Sequence, residues 1–591
     1  MKRQPNAKLH TSGASSRSPA DQQIAAAGDW RFLLVLLVLA GCFAALAWRA
    51  VDLQVIDQEF LSGQGDLRTI RFEDIPATRG KILDRHGEPL AVSAPVVTLW
   101  ANPQQVDLTN PGWSALAELL GDDVGELKER LGQNFEREFI YIQRQMAPEL
   151  ADAAMQLSLE GLYSQRDFKR YYPAGEVAAH VVGMTDIDEK GQEGVELVFD
   201  QYLQDTPGKK KVLKDRRGFV VQDLSLISDA IPGEDLQLSI DLRLQYLAYR
   251  ELKAVVEAHQ AHSASLVLLD VKTGEVLAMV NQPSYNPNNR GSIQAAALRN
   301  RAITDLFEPG STMKPFSIAA ALGSGKFSVN SVVDTSPGYL RLNGRTIRDH
   351  RNYGKLSLTK VVVKSSNVGT SRIAFKVGGE SIWETFFNAG FGQATGIEYP
   401  GEAVGSLPNY SNWKPVRLAT LSYGYGLSTT TLQLAQAYMA IASGGIRHPV
   451  SLIKGGQKGL SSQRVMSEEV ATSLKNILEQ VVLQGGTGTR AHVSEYRVAG
   501  KTGTVHNISA GGGYAEDDYT SVFAGLAPVE NSRLAMVVAV NGPQSGEYYG
   551  GEVSAPVFSR VMANSLRLLN VAPDIHPGLM ASASKKAERG G

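Results

Sequence analysis

Three short motifs follow one another along this chain of 591 residues: Ser311-Thr312-Met313-Lys314, Ser365-Ser366-Asn367 and Lys501-Thr502-Gly503. Together they hold the parts that acyl transfer on a serine requires. A serine hydroxyl is a weak nucleophile until a neighbouring base takes its proton. A lysine serves as that base once burial and a second cation lower its pKa. Ser365 could relay a proton towards a leaving group, and Asn367 could hydrogen-bond a substrate amide. Lys501 and Thr502 could meet a terminal carboxylate, with Gly503 allowing close backbone approach. Each motif alone is weak. Ser-x-x-Lys recurs at Ser357, Ser411, Ser451 and Ser582, Ser-x-Asn at Ser284 and Ser328, and Lys-Thr-Gly at Lys272. For an arbitrary copy the bland reading is an N-cap serine with a surface lysine. The weight rests on order, spacing and local context.

Those residues need elements to hold them. Pro309-Gly310 is a turn signal, and Met313 to Leu322 is rich in helix formers and apolar residues. Ser311 is therefore expected at the first turn of a buried helix, where free N–H groups and the helix dipole favour an oxyanion. Lys314, three residues on, falls on the same face. Leu358 to Val363 reads as a helix or buried segment ending near Ser365, with Gly369 just beyond. Lys501-Thr502-Gly503-Thr504-Val505, Thr520 to Leu526 and Leu534 to Val540 read as an antiparallel meander. A strand edge carrying the third motif can hold a peptide by strand addition. The copy at Lys272 bridges two apolar runs and is a hairpin turn. Gly500-Lys501-Thr502 mimics the end of a phosphate-binding loop, but that motif needs glycine where the chain has Glu495.

These residues resemble the class B penicillin-binding proteins of the FtsI type. Ser-x-x-Lys with Ser-x-Asn and Lys-Thr-Gly is the signature of β-lactamases and penicillin-binding proteins. The resemblance extends through Phe307 to Pro315, through Thr78-Arg79-Gly80-Lys81-Ile82-Leu83-Asp84-Arg85, Arg170 to Gly175 and Gly194-Val195-Glu196, and through Tyr423-Gly424-Tyr425-Gly426. Thr502 stands where some members carry serine. The resemblance implies an α/β (α+β) fold: a membrane anchor, a mixed α/β pedestal, then a transpeptidase domain with a central antiparallel sheet flanked by helices. It implies a peptidoglycan stem peptide ending in D-Ala-D-Ala as donor, attacked by Ser311 with Lys314 as base. The backbone N–H groups of Ser311 and Thr504 would form the oxyanion hole, and Lys501, Thr502 and Thr504 would bind the carboxylate. β-Lactams would leave Ser311 acylated. Implied partners are a glycosyltransferase of the FtsW type and other division proteins. A β-lactamase would need a carboxylate to activate water; a D,D-carboxypeptidase would use water in place of the amine; a β-lactam-sensing receptor would need a signalling domain.

Length suggests two or more domains. The apolar fraction of 43% fits a globular core, and a formal net charge of −1 gives no reason to expect nucleic acid. Cys42 is the one cysteine, so no internal disulfide forms. There is no His-Glu-x-x-His and no Cys/His cluster, so no metal or other cofactor is implied. Phe32 to Trp48 lacks charges and is flanked by Trp30, Arg31 and Arg49. It reads as a single membrane-spanning helix, with a cleaved leader as the rival. The preceding lysines and arginines place the N-terminus in the cytoplasm and the rest in the periplasm, anchored in the inner membrane. The expected division is a Ser/Ala-rich, disordered cytoplasmic tail over 1–29, an anchor over 30–53, a pedestal over 54–235, a transpeptidase domain over 236–570 and a flexible tail over 571–591.

Overall fold

The computed structural model describes residues 19–60, 69–215, 220–456, 461–509 and 513–575. Residues 1–18, and residues 576–591 of the tail expected over 571–591, lie outside them. The chain forms two compact units, Met1–Ile75 with Gly208–Asp229, and Pro76–Pro207 with Ala230–Gly591. The stretch expected as one pedestal over 54–235 thus contributes to both.

In the first unit a helix runs over Pro19–Val51 and widens into a π-turn over Asp52–Ile56. It begins at Pro19, inside the segment expected as an unstructured tail; Ala25-Ala26-Ala27, strong helix formers, carry it N-terminally. Within the span Trp30–Ile56 an 18-residue window has a mean hydropathy of 2.3, and none of that window is buried in protein. At 1.5 Å per residue that span reaches about 40 Å, more than a hydrocarbon core of about 30 Å. The unit also holds a three-stranded antiparallel sheet of Ile70–Ile75, Gly208–Lys214 and Val220–Ser228.

The second unit is built around a five-stranded antiparallel sheet. Its spatial order is Val276–Gln282, Ser263–Asp270, Leu534–Asn541, Tyr514–Ala527, Ala499–Ile508. Both faces are covered, as alternation along Leu534–Asn541 shows. Ala535, Val537 and Ala539 face a core shared with helices Lys314–Gly323, Thr431–Ala442 and Glu468–Val482. Met536, Val538 and Val540 face a second core with helices Leu242–His259 and Ser554–Leu568. The three strands read as a meander lie adjacent, and the Lys272 hairpin completes the sheet. Ala499–Ile508 forms one edge of the sheet, and Val276–Gln282 the other.

The N-terminal part of this unit packs its own sheet around Pro89–Ala101, which pairs with Ile140–Met146 and Leu162–Tyr171. Three segments singled out in the sequence converge there. Glu196 accepts from Arg79 Nε at 2.8 Å and from Arg170 Nε at 2.7 Å, and Arg79 Nη1 reaches Asp200 at 2.8 Å. Arg79, Arg170 and Glu196 are fully buried. Burial alone would pull the Arg79 guanidinium down; the attraction and hydrogen bonds of Glu196 and Asp200 carry it above its ordinary value.

Candidate active site

Ser311 lies in a 3-10 turn, Gly310–Met313, that opens into helix Lys314–Gly323 with Pro315 in its first turn. Proline suits that position because its missing N–H would have no partner there. The expected first helical turn is therefore a tighter one. The segment is pinned from several sides. Tyr438 Oη donates to the carbonyl of Thr312 at 2.9 Å, and Ser317 Oγ to that of Ser422 at 2.6 Å. Gly310 N donates to the carbonyl of Gly424 at 3.0 Å. Gly424 has φ +92°, and a Cβ there would lie 1.9 Å from the Gly310 carbonyl oxygen, so Tyr423-Gly424-Tyr425-Gly426 can cross at this point only with glycine.

The second motif joins two helices, Leu358–Val363 and Asn367–Val377. Gly369, expected beyond the end of a helix, lies within the second one. Ser366 is its N-cap and accepts from Gly369 N at 2.8 Å. Ser365 sits in the turn with φ +53°, the left-handed region. Asp349 locks this corner: Oδ2 accepts from Ser366 Oγ at 2.5 Å and Oδ1 from Val368 N at 3.0 Å. Asp349 had no signal in the sequence. It lies in a loop, belongs to no motif, and acts on residues that come later in the chain.

The third motif lies on the edge strand Ala499–Ile508. Thr502, Thr504 and His506 share one face and line a cleft of about 800 Å3 together with Ser311, Ser365 and Asn367. A Cβ at Gly503 would sit 3.0 Å from Thr312 Cγ2 and 3.1 Å from the Pro309 carbonyl oxygen, so glycine lets the strand lie against the serine segment. Gly550 N donates to Thr504 Oγ1 at 3.0 Å, and Thr502 Oγ1 lies 2.9 Å from Thr487 Oγ1. His506, Tyr519 and Tyr548 stack in succession along this wall, with ring centres 4.5 Å and 4.2 Å apart.

Both lysines lie beneath the cleft with no exposed surface. Lys314 Nζ donates to the Ser365 carbonyl at 2.6 Å, to Ser365 Oγ at 3.0 Å and to Asn367 Oδ1 at 2.8 Å. Ser365 Oγ in turn lies 3.0 Å from Ser311 Oγ. Lys501 Nζ bonds the carbonyl and hydroxyl of Thr502, at 3.0 and 3.2 Å. Burial drives Lys314 well below the ordinary lysine value, and the Lys501 ammonium pushes it further; Asp349 opposes both. Burial brings Lys501 down to about 7. Two ammonium groups without a carboxylate partner at contact distance favour a state in which only one holds its charge. Ser311, Lys314, Ser365, Asn367, Lys501, Thr502, Gly503 and Thr504 are thus all brought to one place. The copy at Ser357 is not: Ser357 caps helix Leu358–Val363, accepting from Lys360 N at 3.2 Å, and Lys360 is exposed; the copy at Ser582 lies outside the described residues.

Comparison with known proteins agrees along nearly the whole chain. The family described as Penicillin binding protein transpeptidase domain matches residues 264–563, and Penicillin-binding Protein dimerisation domain matches 74–238. The chain is 44% identical over 555 residues to the peptidoglycan D,D-transpeptidase FtsI of Escherichia coli K12, covering 92% of this chain and 93% of that protein. It is 41% identical over 546 residues to the probable peptidoglycan D,D-transpeptidase PbpC of Pseudomonas aeruginosa, covering 92% and 96%. Among solved structures, it is similar to penicillin-binding protein 3 of Mycobacterium tuberculosis complexed with aztreonam. The TM-score is 0.67 at 29% identity, over 85% of this chain and 98% of that one. The transpeptidase domain of Burkholderia pseudomallei penicillin-binding protein 3 matches with TM-score 0.53 at 40% identity, over 57% and 98%.

Proposed function

The chain belongs to the penicillin-binding peptidoglycan D,D-transpeptidases, and from that premise we propose that its eight motif residues carry the reaction in the following roles. A donor stem peptide ending in D-Ala-D-Ala adds antiparallel to the open edge of Ala499–Ile508. Lys501, Thr502 and Thr504 take its terminal carboxylate, which places the penultimate carbonyl at Ser311. The Ser311 hydroxyl attacks that carbon, and its proton passes through Ser365 Oγ to neutral Lys314. Backbone N–H groups of Ser311 and Thr504 receive the oxyanion; one such donor contributes about a hundredfold to a thousandfold. Asn367 holds the donor amide. The C–N bond breaks, the terminal D-Ala leaves with a proton returned through Ser365, and an amine of a second stem peptide takes the acyl group.

One observation carries this reading: an unbroken hydrogen-bonded line, Lys314 to Ser365 to Ser311, beside an open strand edge. β-Lactams enter as donor mimics. The exposed helix Trp30–Ile56 supports a single-pass inner-membrane anchor, with the basic N-terminal segment in the cytoplasm and the catalytic unit in the periplasm. Kinship with FtsI supports a role in septal wall synthesis alongside a glycosyltransferase of the FtsW type and other division proteins.

The test is intact mass after incubation with a penicillin. One added acyl group, retained for minutes and absent in Ser311→Ala, is expected. Rapid release of hydrolysed drug would overturn transpeptidation in favour of a β-lactamase.

A further inference from the structure

Arg348 stands on the cleft wall opposite the edge strand. It ends strand Arg345–Arg348, paired with Tyr339. Its carbonyl accepts from Asn367 Nδ2 at 3.3 Å. The next residue is Asp349, whose two carboxylate oxygens are taken by Ser366 and Val368. The backbone carrying Arg348 is therefore fastened to the second motif. The side chain is exposed and lines the same cleft as Ser311 and Ser365. Its side-chain contact among the described residues is the Tyr339 ring, 5.9 Å from the guanidinium carbon to the ring centre. Among the described residues no carboxylate pairs with this arginine, which is held at the cleft.

We propose that Arg348 is a specificity residue for the acceptor, binding a carboxylate carried on the carbon next to the attacking amine. This rests on the reading above. The donor carboxylate is served by Lys501, Thr502 and Thr504 on the far wall, so a second cation on the near wall has a different client. Once the acyl-enzyme has formed, the acceptor nitrogen must approach the ester carbon close to Ser365. That is the hydroxyl through which its proton can pass. In the step, a neutral amine attacks the ester carbon, the C–N bond forms and the C–Oγ bond of Ser311 breaks. One amine proton passes through Ser365 and Lys314, and Ser311 Oγ ends protonated. A guanidinium fork binds a carboxylate bidentately, which orients as well as attracts. Its positive charge also disfavours the protonated amine, which is the unreactive form.

The experiment uses the detergent-solubilised full chain and an acyl-D-alanyl thioester as donor. Partition of the acyl group between D-alanine and D-alaninamide is measured at equal concentrations of unprotonated amine. The readout is a ratio within each enzyme, so changes in acylation rate cancel. Wild type favours D-alanine. Arg348→Ala lowers that preference about tenfold, as loss of a hydrogen bond to a charged group does. Arg348→Lys retains part of it, and Arg348→Glu turns the preference towards the amide. A ratio unmoved by all three substitutions overturns the inference while leaving the acylation chemistry standing. Failure to form any acyl-enzyme would instead strike the reading of the site itself.

Discussion

Two of the clusters in which the molecule buries charge handle it in opposite ways. Around Glu196, two guanidiniums meet carboxylates at 2.7 and 2.8 Å, and the charges are matched. Beneath the cleft, Lys314 and Lys501 are buried as deeply, with carbonyl, hydroxyl and amide oxygens for company. In the first cluster pairing lifts Arg79 above its ordinary value against the pull of burial; in the second, burial draws both lysines down. Burial alone therefore does not mark a functional site. What marks it is burial left unpaired, which keeps a proton loosely held.

The contrast can be broken most directly at Lys314. Lys314→Ala should cut penicillin acylation between about a hundredfold and ten-thousandfold, the range of a general base. The protein should remain folded: the hydrogen bonds and packing lost with the buried side chain are offset in part by removal of a poorly solvated ammonium group. Acylation at the wild-type rate by rapid-quench mass spectrometry would remove Lys314 from its role. Glu196→Gln should do the reverse. It leaves two buried guanidiniums short of a partner and should cost about 3–5 kcal/mol in denaturant unfolding. Whatever remains folded should acylate normally. A Glu196→Gln protein as stable as wild type would show that the matched cluster matters less than its geometry suggests.

Titration sharpens the same difference. The second-order acylation rate should rise on the acid side as Lys314 loses its proton. It should fall as pH passes upward through about 7, where Lys501 loses the charge that receives the ligand carboxylate. Lys501→Arg, which stays charged, should erase the alkaline limb. An unchanged limb would assign it elsewhere. The smallest effect is expected at Asp349. Asp349→Asn loosens the Ser366 corner and should slow acylation by about tenfold. Because Asp349 favours protonated Lys314, its loss should move the acid limb to lower pH. A purely structural role would slow the rate without that shift.

The parts of this site that were legible in the sequence are those made by local chemistry. A proline-glycine turn before an alanine-rich run announced the serine helix, and alternating apolar runs announced the edge strand and its neighbours. The parts that were not legible depend on contacts between distant segments. Ser365 was expected to face a leaving group; the structure sets it between Lys314 and Ser311 as well, which no spacing within its own motif reveals. Asp349 acts through residues that come later in the chain, and Arg348 reaches the cleft only because its backbone is fastened to them. The meander was visible, but not that the Lys272 hairpin would lie against Leu534–Asn541, a pairing across more than half of the catalytic segment. The early start of the first helix was hidden by a serine-rich lead-in that looks unstructured.

Ser365 also sets a limit on improvement. Its left-handed backbone suits glycine or asparagine better than serine, at a cost of roughly 1–3 kcal/mol. Ser365→Gly should therefore yield a protein that survives heating longer and no longer acylates efficiently. Selection for thermal robustness alone would favour glycine at this turn, whereas the proposed proton path needs the Ser365 hydroxyl.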